Sequence, residues 1–168
     1  KQENSLEQSA KTGKPDWRVP VDEESNGFEV DVAGRIAPNW SVVANYAYTD
    51  ARIVKLKEEG ALKDLNMQRP STPRHAANFW TKYIIQKGAL EGLGLGVGVN
   101  YVSERLGQVG RRATAATYPE YTLVNAVLYY KVKDVQFQVN INNVLNRTYW
   151  ISGYDNLRNF PGAPRNVN

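Results

Sequence analysis

The sequence predicts an all-β fold: an antiparallel up-and-down meander of about seven strands that forms a segment of a larger transmembrane β-barrel. Three observations lead to this prediction. Apolar and polar residues alternate with a period of two in six separate segments. The links between these segments are alternately short and long. Aromatic residues, ten Tyr and four Trp among them, cluster toward the segment ends.

Five of the six alternating segments have the roughly nine or more residues that a tilted strand needs to cross a bilayer, and the sixth has eight. The segments cover residues 27–36, 40–49, 77–86, 93–101, 121–132 and 135–142, and a further strand is expected around 1–8. One side of these strands is apolar, and we expect it to contact lipid. Its predicted members are Phe28, Val30, Val32, Val42, Leu95, Val97, Val99, Leu128, Val135, Phe137 and Val139.

The length of the links predicts which strand ends lie outside the cell. Short links occur at 37–39, 87–92 and 133–134, and long polar links at 10–26, 53–75, 104–120 and 151–164. Outer-membrane barrels have short periplasmic turns and long extracellular loops. Two aromatic girdles are expected at the membrane interfaces. The long-loop girdle would hold Phe28, Tyr46, Tyr48, Tyr101, Tyr121, Tyr149 and Trp150, and the other Trp40, Tyr129 and Tyr130.

Composition excludes several classes of protein. Mean hydropathy is −0.53 and no run approaches the length of a membrane helix, so a helical membrane protein is excluded. The absence of cysteine excludes a disulfide framework and thiolate chemistry. A net charge of +4 spread along the chain gives little support to nucleic-acid binding. His75 is the single histidine and is expected in a loop, so we predict no catalytic residues and no directly bound metal.

Glycines at every second position from 92 to 98 mark one strand. They do not match a nucleotide-binding fingerprint. On the polar face they would either let a bulky group approach the wall closely or make a weak, flexible strand. We also expect arginine at Gly96, on this face, to be better tolerated than arginine at Val97 on the lipid face.

Four ordered stretches resemble the TonB-dependent siderophore receptors. Residues 24–36, ESNGFEVDVAGRI, are similar to the family's S-R-G-F-E-L-D-V-x-G-R-I, with Asn26 where Arg is usual. Residues 45–51, NYAYTDA, are similar to the next strand of the family. Residues 140–149, NINNVLNRTY, resemble its penultimate strand, and residues 160–167, FPGAPRNV, the approach to its final strand.

The resemblance implies a Gram-negative outer-membrane receptor with a 22-stranded barrel and an N-terminal plug that the TonB complex contacts. It implies import of an iron-loaded siderophore, with the ferric iron carried by the ligand and no cofactor bound directly. Residues 1–168 would be the C-terminal part of the barrel, without the plug and the last strand. The expected partners are the siderophore, the TonB complex, outer-membrane lipid and the remaining barrel strands, with no nucleic acid.

Three alternatives stay open at this point. The receptor could take haem or cobalamin. An outer-membrane barrel enzyme would need a catalytic constellation that the single histidine makes difficult to assemble. A lipocalin-like barrel would have an apolar interior and a polar exterior, the inverse of the arrangement predicted here.

Two long links carry the candidate ligand-binding residues. Ferric siderophores are compact, polar and often anionic, so a capture site should combine aromatic planes with cationic donors. The candidates are Arg111, Arg112 and Tyr118 in one link, and Trp150, Tyr154, Arg158 and Phe160 in the other. For each of them the alternative is a girdle residue or a solvated loop charge.

Overall fold

The computed structural model describes residues 2–8, 18–56, 66–107, 116–153 and 159–168. No helix in these ranges is long and apolar enough to cross a membrane. The strands are β1 (Gln2–Gln8), β2 (Arg18–Ala37), β3 (Trp40–Leu56), β4 (Met67–Gln68), β5 (His75–Ile84), β6 (Leu93–Val102), β7 (Arg105–Leu106), β8 (Thr117–Tyr118), β9 (Tyr121–Val132), β10 (Val135–Asn142), β11 (Trp150–Gly153), β12 (Asn159–Pro161) and β13 (Asn166–Val167).

The long strands form one antiparallel meander. In the described ranges the main sheet has nine strands in the order β1-β2-β3-β5-β6-β9-β10-β13, with β4 paired to β3. Two small sheets, β7-β8 and β11-β12, lie in the predicted long links. The sheet is open within this chain, with β1 at one edge and β13 at the other. The predicted all-β barrel segment is confirmed, including a strand near the start of the chain that pairs with β2.

Two predicted links are wrong in extent. β2 begins at Arg18 and β3 continues to Leu56, so the hairpin between them extends into the predicted links 10–26 and 53–75. The charged composition of this extension suggested a loop. Outside lipid, however, a paired strand can carry charge on both faces, and Glu24 lies opposite Arg52 across the hairpin.

Strand pairing places the predicted lipid-facing residues on one side of the sheet. The pairs Val32–Ala44, Ala44–Phe79, Phe79–Val99 and Val99–Val124 continue across β2, β3, β5, β6 and β9. Large apolar side chains on this side are exposed, for example Phe28 at 55% and Phe137 at 60%. A contiguous apolar surface of this extent marks contact with another phase or partner. We call this side the lipid face and the opposite side the lumen face.

Aromatic residues border the lipid face at both ends. Near the long links, the Phe28 ring centroid lies 5.8 Å from those of Tyr46 and Tyr48. His75, expected in a loop, is the first residue of β5, and its Nδ1 hydrogen-bonds the Tyr46 hydroxyl at 2.7 Å. Near the short turns, Trp40 meets Tyr83 edge-on at 6.3 Å. Two aromatic bands are therefore present.

Tyr121 and Tyr129 do not belong to these bands. Their pairing with Val102 and Gly94 puts both on the lumen face, so their predicted place in the girdles is wrong. A position near a strand end places an aromatic residue at the height of a girdle, but the alternation of side chains along the strand decides which face it lies on.

The alternate glycines accommodate a side chain of the protein itself. A Cβ at Gly96 would lie 2.7 Å from Trp80 Cζ2, and one at Gly98 would lie 2.5 Å from Trp80 Cε3. The indole of Trp80 thus lies across both glycines on the lumen face. This contact favours the close-approach alternative over a flexible strand. Arginine at Gly96 would have to displace the indole, and its smaller cost relative to arginine at Val97 stays a prediction.

An asparagine ladder crosses the lumen face. Asn78 Nδ2 donates to Asn45 Oδ1 at 2.7 Å, Asn100 donates to Asn78, and Asn125 Nδ2 donates to Asn100 Oδ1 at 2.8 Å. The backbone N–H of Asn143 donates to Asn125 Oδ1 at 2.9 Å. Amide side chains are costly to bury in hydrocarbon, so the ladder identifies this side as the polar face of the wall.

The two faces predict that arginine at neighbouring positions of β10 changes the free energy of unfolding by different amounts. In the full-length protein folded into phospholipid bilayers, Val139→Arg should lower the free energy of unfolding by about 2 to 4 kcal/mol. Gln138→Arg, one residue away on the lumen face, should change it much less. Equilibrium unfolding in guanidinium measures both. A larger loss for Gln138→Arg would mean that the faces are reversed.

Candidate functional site

The long-link end of the sheet is a continuous band of loop contacts. We call it the outer rim, and it comprises residues 49–53, 66–74, 103–107, 116–121, 149–153 and 159–162. Its first contact joins the β2–β3 extension to the segment 66–74. Asn66 N–H donates to the Ile53 carbonyl and Arg69 N–H to the Ala51 carbonyl, each at 2.8 Å. Ile53 is 0% exposed, so this segment covers the apolar part of the extension.

The same segment also contacts β7. Ser71 N–H donates to the Leu106 carbonyl at 2.7 Å, and Ser71 Oγ donates to the Gly107 carbonyl at 3.3 Å. At the base of the segment, His75 N–H donates to Ser103 Oγ at 3.0 Å. The segment therefore links the β2–β3 hairpin to the residues that follow β6.

Arg105 joins the two small sheets of the rim. It is 4% exposed, and its Nη2 donates to the carbonyls of Trp150 and Ile151 at 2.5 and 2.6 Å. The guanidinium carbon lies 5.6 Å from the ring centroids of both Tyr118 and Tyr121. Sequence reasoning missed this residue, because no spacing or motif distinguishes it from the other loop arginines.

Tyr118 makes the second connection between these sheets. Its side chain is buried, with the residue 3% exposed, and its hydroxyl donates to Asn159 Oδ1 at 2.6 Å. A Cβ at Gly153 would overlap the Tyr118 hydroxyl, so a side chain at that position would displace the tyrosine. Tyr118 and Arg105 together hold β7 and β8 against β11 and β12.

The structure brings together some of the predicted ligand-binding residues. Trp150 is half-buried and connected to Tyr118 through Arg105, whereas Phe160 is 57% exposed beside Asn159. The other four predicted residues lie outside the described part of the chain. They are Arg111, Arg112, Tyr154 and Arg158. Of the three predicted residues that the structure describes, Phe160 is exposed, whereas Tyr118 bonds to Asn159 and Trp150 pairs with Pro161 on either side of it.

A partly open cavity of about 300 Å³ lies elsewhere in the rim, between the β2–β3 extension and the segment 66–74. Glu23 is 7% exposed, and its Oε2 lies 3.2 Å from Arg69 Nε, whereas its Oε1 is buried without a hydrogen-bond partner. The lining residues are Glu23, Glu24, Ser25, Thr49, Ala51, Arg69 and Thr72. The sequence analysis placed Thr49 in a strand and Glu24, Ser25 and Ala51 in stretches that resemble the receptor family, but it proposed none of the lining residues as ligand contacts.

The chemistry available at the rim is hydrogen bonding, charge and aromatic contact. Within the described ranges no group of three His, Cys, Asp or Glu side chains is placed to hold a metal ion. His75, the single histidine, lies in the aromatic band of the lipid face. The arrangement is suited to binding a ligand through polar contacts.

Comparison with known proteins gives consistent matches. A family model described as TonB dependent receptor-like, beta-barrel, matches residues 10–144. The metal-pseudopaline receptor CntO of Pseudomonas aeruginosa is 31% identical over 148 residues, covering 85% of this chain and 20% of that protein. The catecholate siderophore receptor Fiu of Escherichia coli K12 is 32% identical over 142 residues, covering 83% and 18%.

Solved structures agree in fold. The siderophore receptor PiuA of Acinetobacter baumannii matches with a TM-score of 0.76 at 25% identity, covering 98% of this chain and 23% of that one. The closed form of Fiu matches with a TM-score of 0.73 at 29% identity, covering 98% and 22%. The chain therefore spans about a fifth of the length of the relatives that it matches.

Arg105 should stabilise the rim without affecting the wall. Arg105→Ala removes the charged donor of the hydrogen bonds to the Trp150 and Ile151 carbonyls, which costs about 1 to 3 kcal/mol locally. Hydrogen exchange of the full-length protein should then be faster at 149–153 and 116–118 and unchanged at 123–132. Arg147→Ala, which removes an exposed arginine, is the matched control. Unchanged exchange at 149–153 in Arg105→Ala would contradict the role assigned to Arg105.

Proposed function

Because this chain belongs to the TonB-dependent receptor β-barrel family, we propose that the whole protein binds an iron-loaded siderophore and imports it to the periplasm with energy supplied through TonB. Members of the family are Gram-negative outer-membrane proteins, and this chain is part of such a barrel. The observation that carries the proposal is the similarity to a catecholate siderophore receptor over more than four fifths of the chain.

The two faces of the wall support this role. A receptor that passes a polar chelate through the membrane needs an apolar exterior and a hydrated interior. The exposed apolar side chains of the lipid face suit the first requirement, and the asparagine ladder on the lumen face suits the second. The relatives that match are receptors, and we propose that this protein likewise catalyses no reaction.

The ligand site is proposed at the outer rim. Phe160 would present its exposed ring to the ligand, while Tyr118 and Trp150 support the strands around it. Arg111, Arg112, Tyr154 and Arg158 remain proposed contacts that supply charge and aromatic surface. Ferric iron would arrive as part of the ligand and would not be bound by protein side chains.

The remaining machinery is proposed to lie outside these residues. Residues 1–168 would form the C-terminal part of the barrel, with the plug, the last strand and the other barrel strands supplied by further polypeptide. β13 pairs with β10 through Asn166 and Val167, in the position where such a strand would continue. The TonB complex would act on the plug, and no nucleic acid is involved.

Uptake of radioactive iron tests the proposed function. Cells lacking other receptors and carrying the full-length protein should take up ferric siderophore in iron-limited medium, and a TonB deletion should abolish uptake. Uptake of haem or cobalamin in place of every ferric siderophore would contradict the proposal and favour those ligands.

Truncation of two aromatic residues of the last long link tests the proposed site. Replacing both Tyr154 and Phe160 with alanine should weaken ferric-siderophore binding at least tenfold, about 1.4 kcal/mol, without changing barrel assembly. The matched control is Tyr130→Ala with Phe137→Ala, a Tyr and a Phe that face each other on the lipid face. Unchanged affinity in the loop variant, measured on the intact receptor, would move the site to the plug or to other strands.

A further inference from the structure

The cavity beside Glu23 contains an anionic group whose hydrogen bonding is incomplete. Glu23 is more than nine-tenths buried, and its ion pair with Arg69 uses Oε2 alone. Oε1 is buried and has no donor. A buried carboxylate oxygen without a donor is unfavourable. A hydrogen-bond donor on a molecule that enters the cavity would therefore be stabilised there.

The other lining residues indicate what kind of donor fits. Ser25, Thr49 and Thr72 supply hydroxyl oxygens that accept hydrogen bonds. Arg69 offsets the charge of Glu23, and Glu24 lies opposite Arg52, so the preference for a charged donor comes from the buried Glu23 Oε1 that has no hydrogen-bond partner. A protonated primary amine carries a positive charge and three N–H donors. A metal ion is a poorer fit, because hard cations take six or more oxygen ligands and the described residues place no group of three ligating side chains.

The position of the cavity connects it to the ligand pathway. The strand pairs Ser25–Ala51 and Gly27–Thr49 are in register with Asp31–Asn45 of the lumen face. Ser25 and Thr49 therefore face the interior of the barrel at its outer end. A group bound there would belong to a molecule entering the lumen and not to lipid.

We propose that this cavity binds a protonated primary amine of the ligand, with Glu23 Oε1 accepting a hydrogen bond from the ammonium group. The inference rests on the proposed siderophore import and narrows it to ferric chelates that carry a free amine. Arg69 holds Glu23 in place through Oε2, and the hydroxyl groups of Ser25 and Thr49 complete the ammonium site.

A pair of ligands that differ in one charge tests this inference. The probes are the ferric complex of a linear trihydroxamate that ends in a free primary amine, and the same complex with that amine acetylated. Fluorescence quenching of the full-length receptor in detergent measures both affinities. The wild type should bind the free amine at least about tenfold more tightly, because a charge-assisted hydrogen bond is lost on acetylation.

Two variants assign the preference to the cavity. Glu23→Gln should bind the two complexes with similar affinity, because the carboxylate charge is removed while the side-chain size is kept. Glu29→Gln makes the same change on β2, outside the cavity lining, and should keep the wild-type preference. Heat-modified gel mobility checks that both variants assemble.

The outcomes separate the inference from the proposed function. Equal affinity of the wild type for both complexes overturns the inference, and so does an equal loss of preference in both variants. Binding of other ferric siderophores, with neither probe bound, also overturns the inference but leaves the import function intact. Failure to bind any ferric siderophore overturns the proposed function on which the inference rests. The wild-type comparison stands even if Glu23→Gln does not assemble.

Discussion

Backbone hydrogen bonding inside lipid is the constraint on which this structure depends. Hydrocarbon offers no partner for a peptide N–H or C=O, so each strand must pair with a neighbour. The sheet meets this requirement with consecutive antiparallel strands and a single layer. Because a single layer has two faces, side chains must alternate between lipid and lumen along every strand. For the same reason we expect the edge of β2 that β1 does not cover, and the edge of β10, to pair with further strands.

A wall of one layer has little interior, and this explains where the buried residues lie. The buried apolar residues in the described ranges are Ala51, Ile53, Tyr118 and Val127, and the first three belong to the outer rim. Packing that a globular protein would place in its centre is here used to join loops at the outer end. The rim is consequently the part of the chain with enough fixed side chains to form a ligand site.

The alternation of apolar and polar residues was sufficient to predict the strands and their apolar face. A period of two indicates a strand, and the apolar positions within it indicate which side chains share a face. It could not predict contacts between residues distant in sequence. The position of Trp80 over Gly96, and the burial of Arg105 against the Trp150 and Ile151 carbonyls, depend on pairings that no local pattern encodes. Charge in residues 18–26 indicated a loop, because composition does not distinguish a strand above the membrane from a turn.

The central claim is that alternate residues of one wall face lipid and lumen. Single cysteines placed in turn along β10 of the full-length protein, then spin-labelled in bilayers, test it directly. Collisions with oxygen, which dissolves in lipid, should be frequent at Val135, Phe137 and Val139. Collisions with a water-soluble nickel complex should be frequent at Gln136, Gln138 and Asn140. Uniform accessibility along β10, or the opposite alternation, would contradict the account.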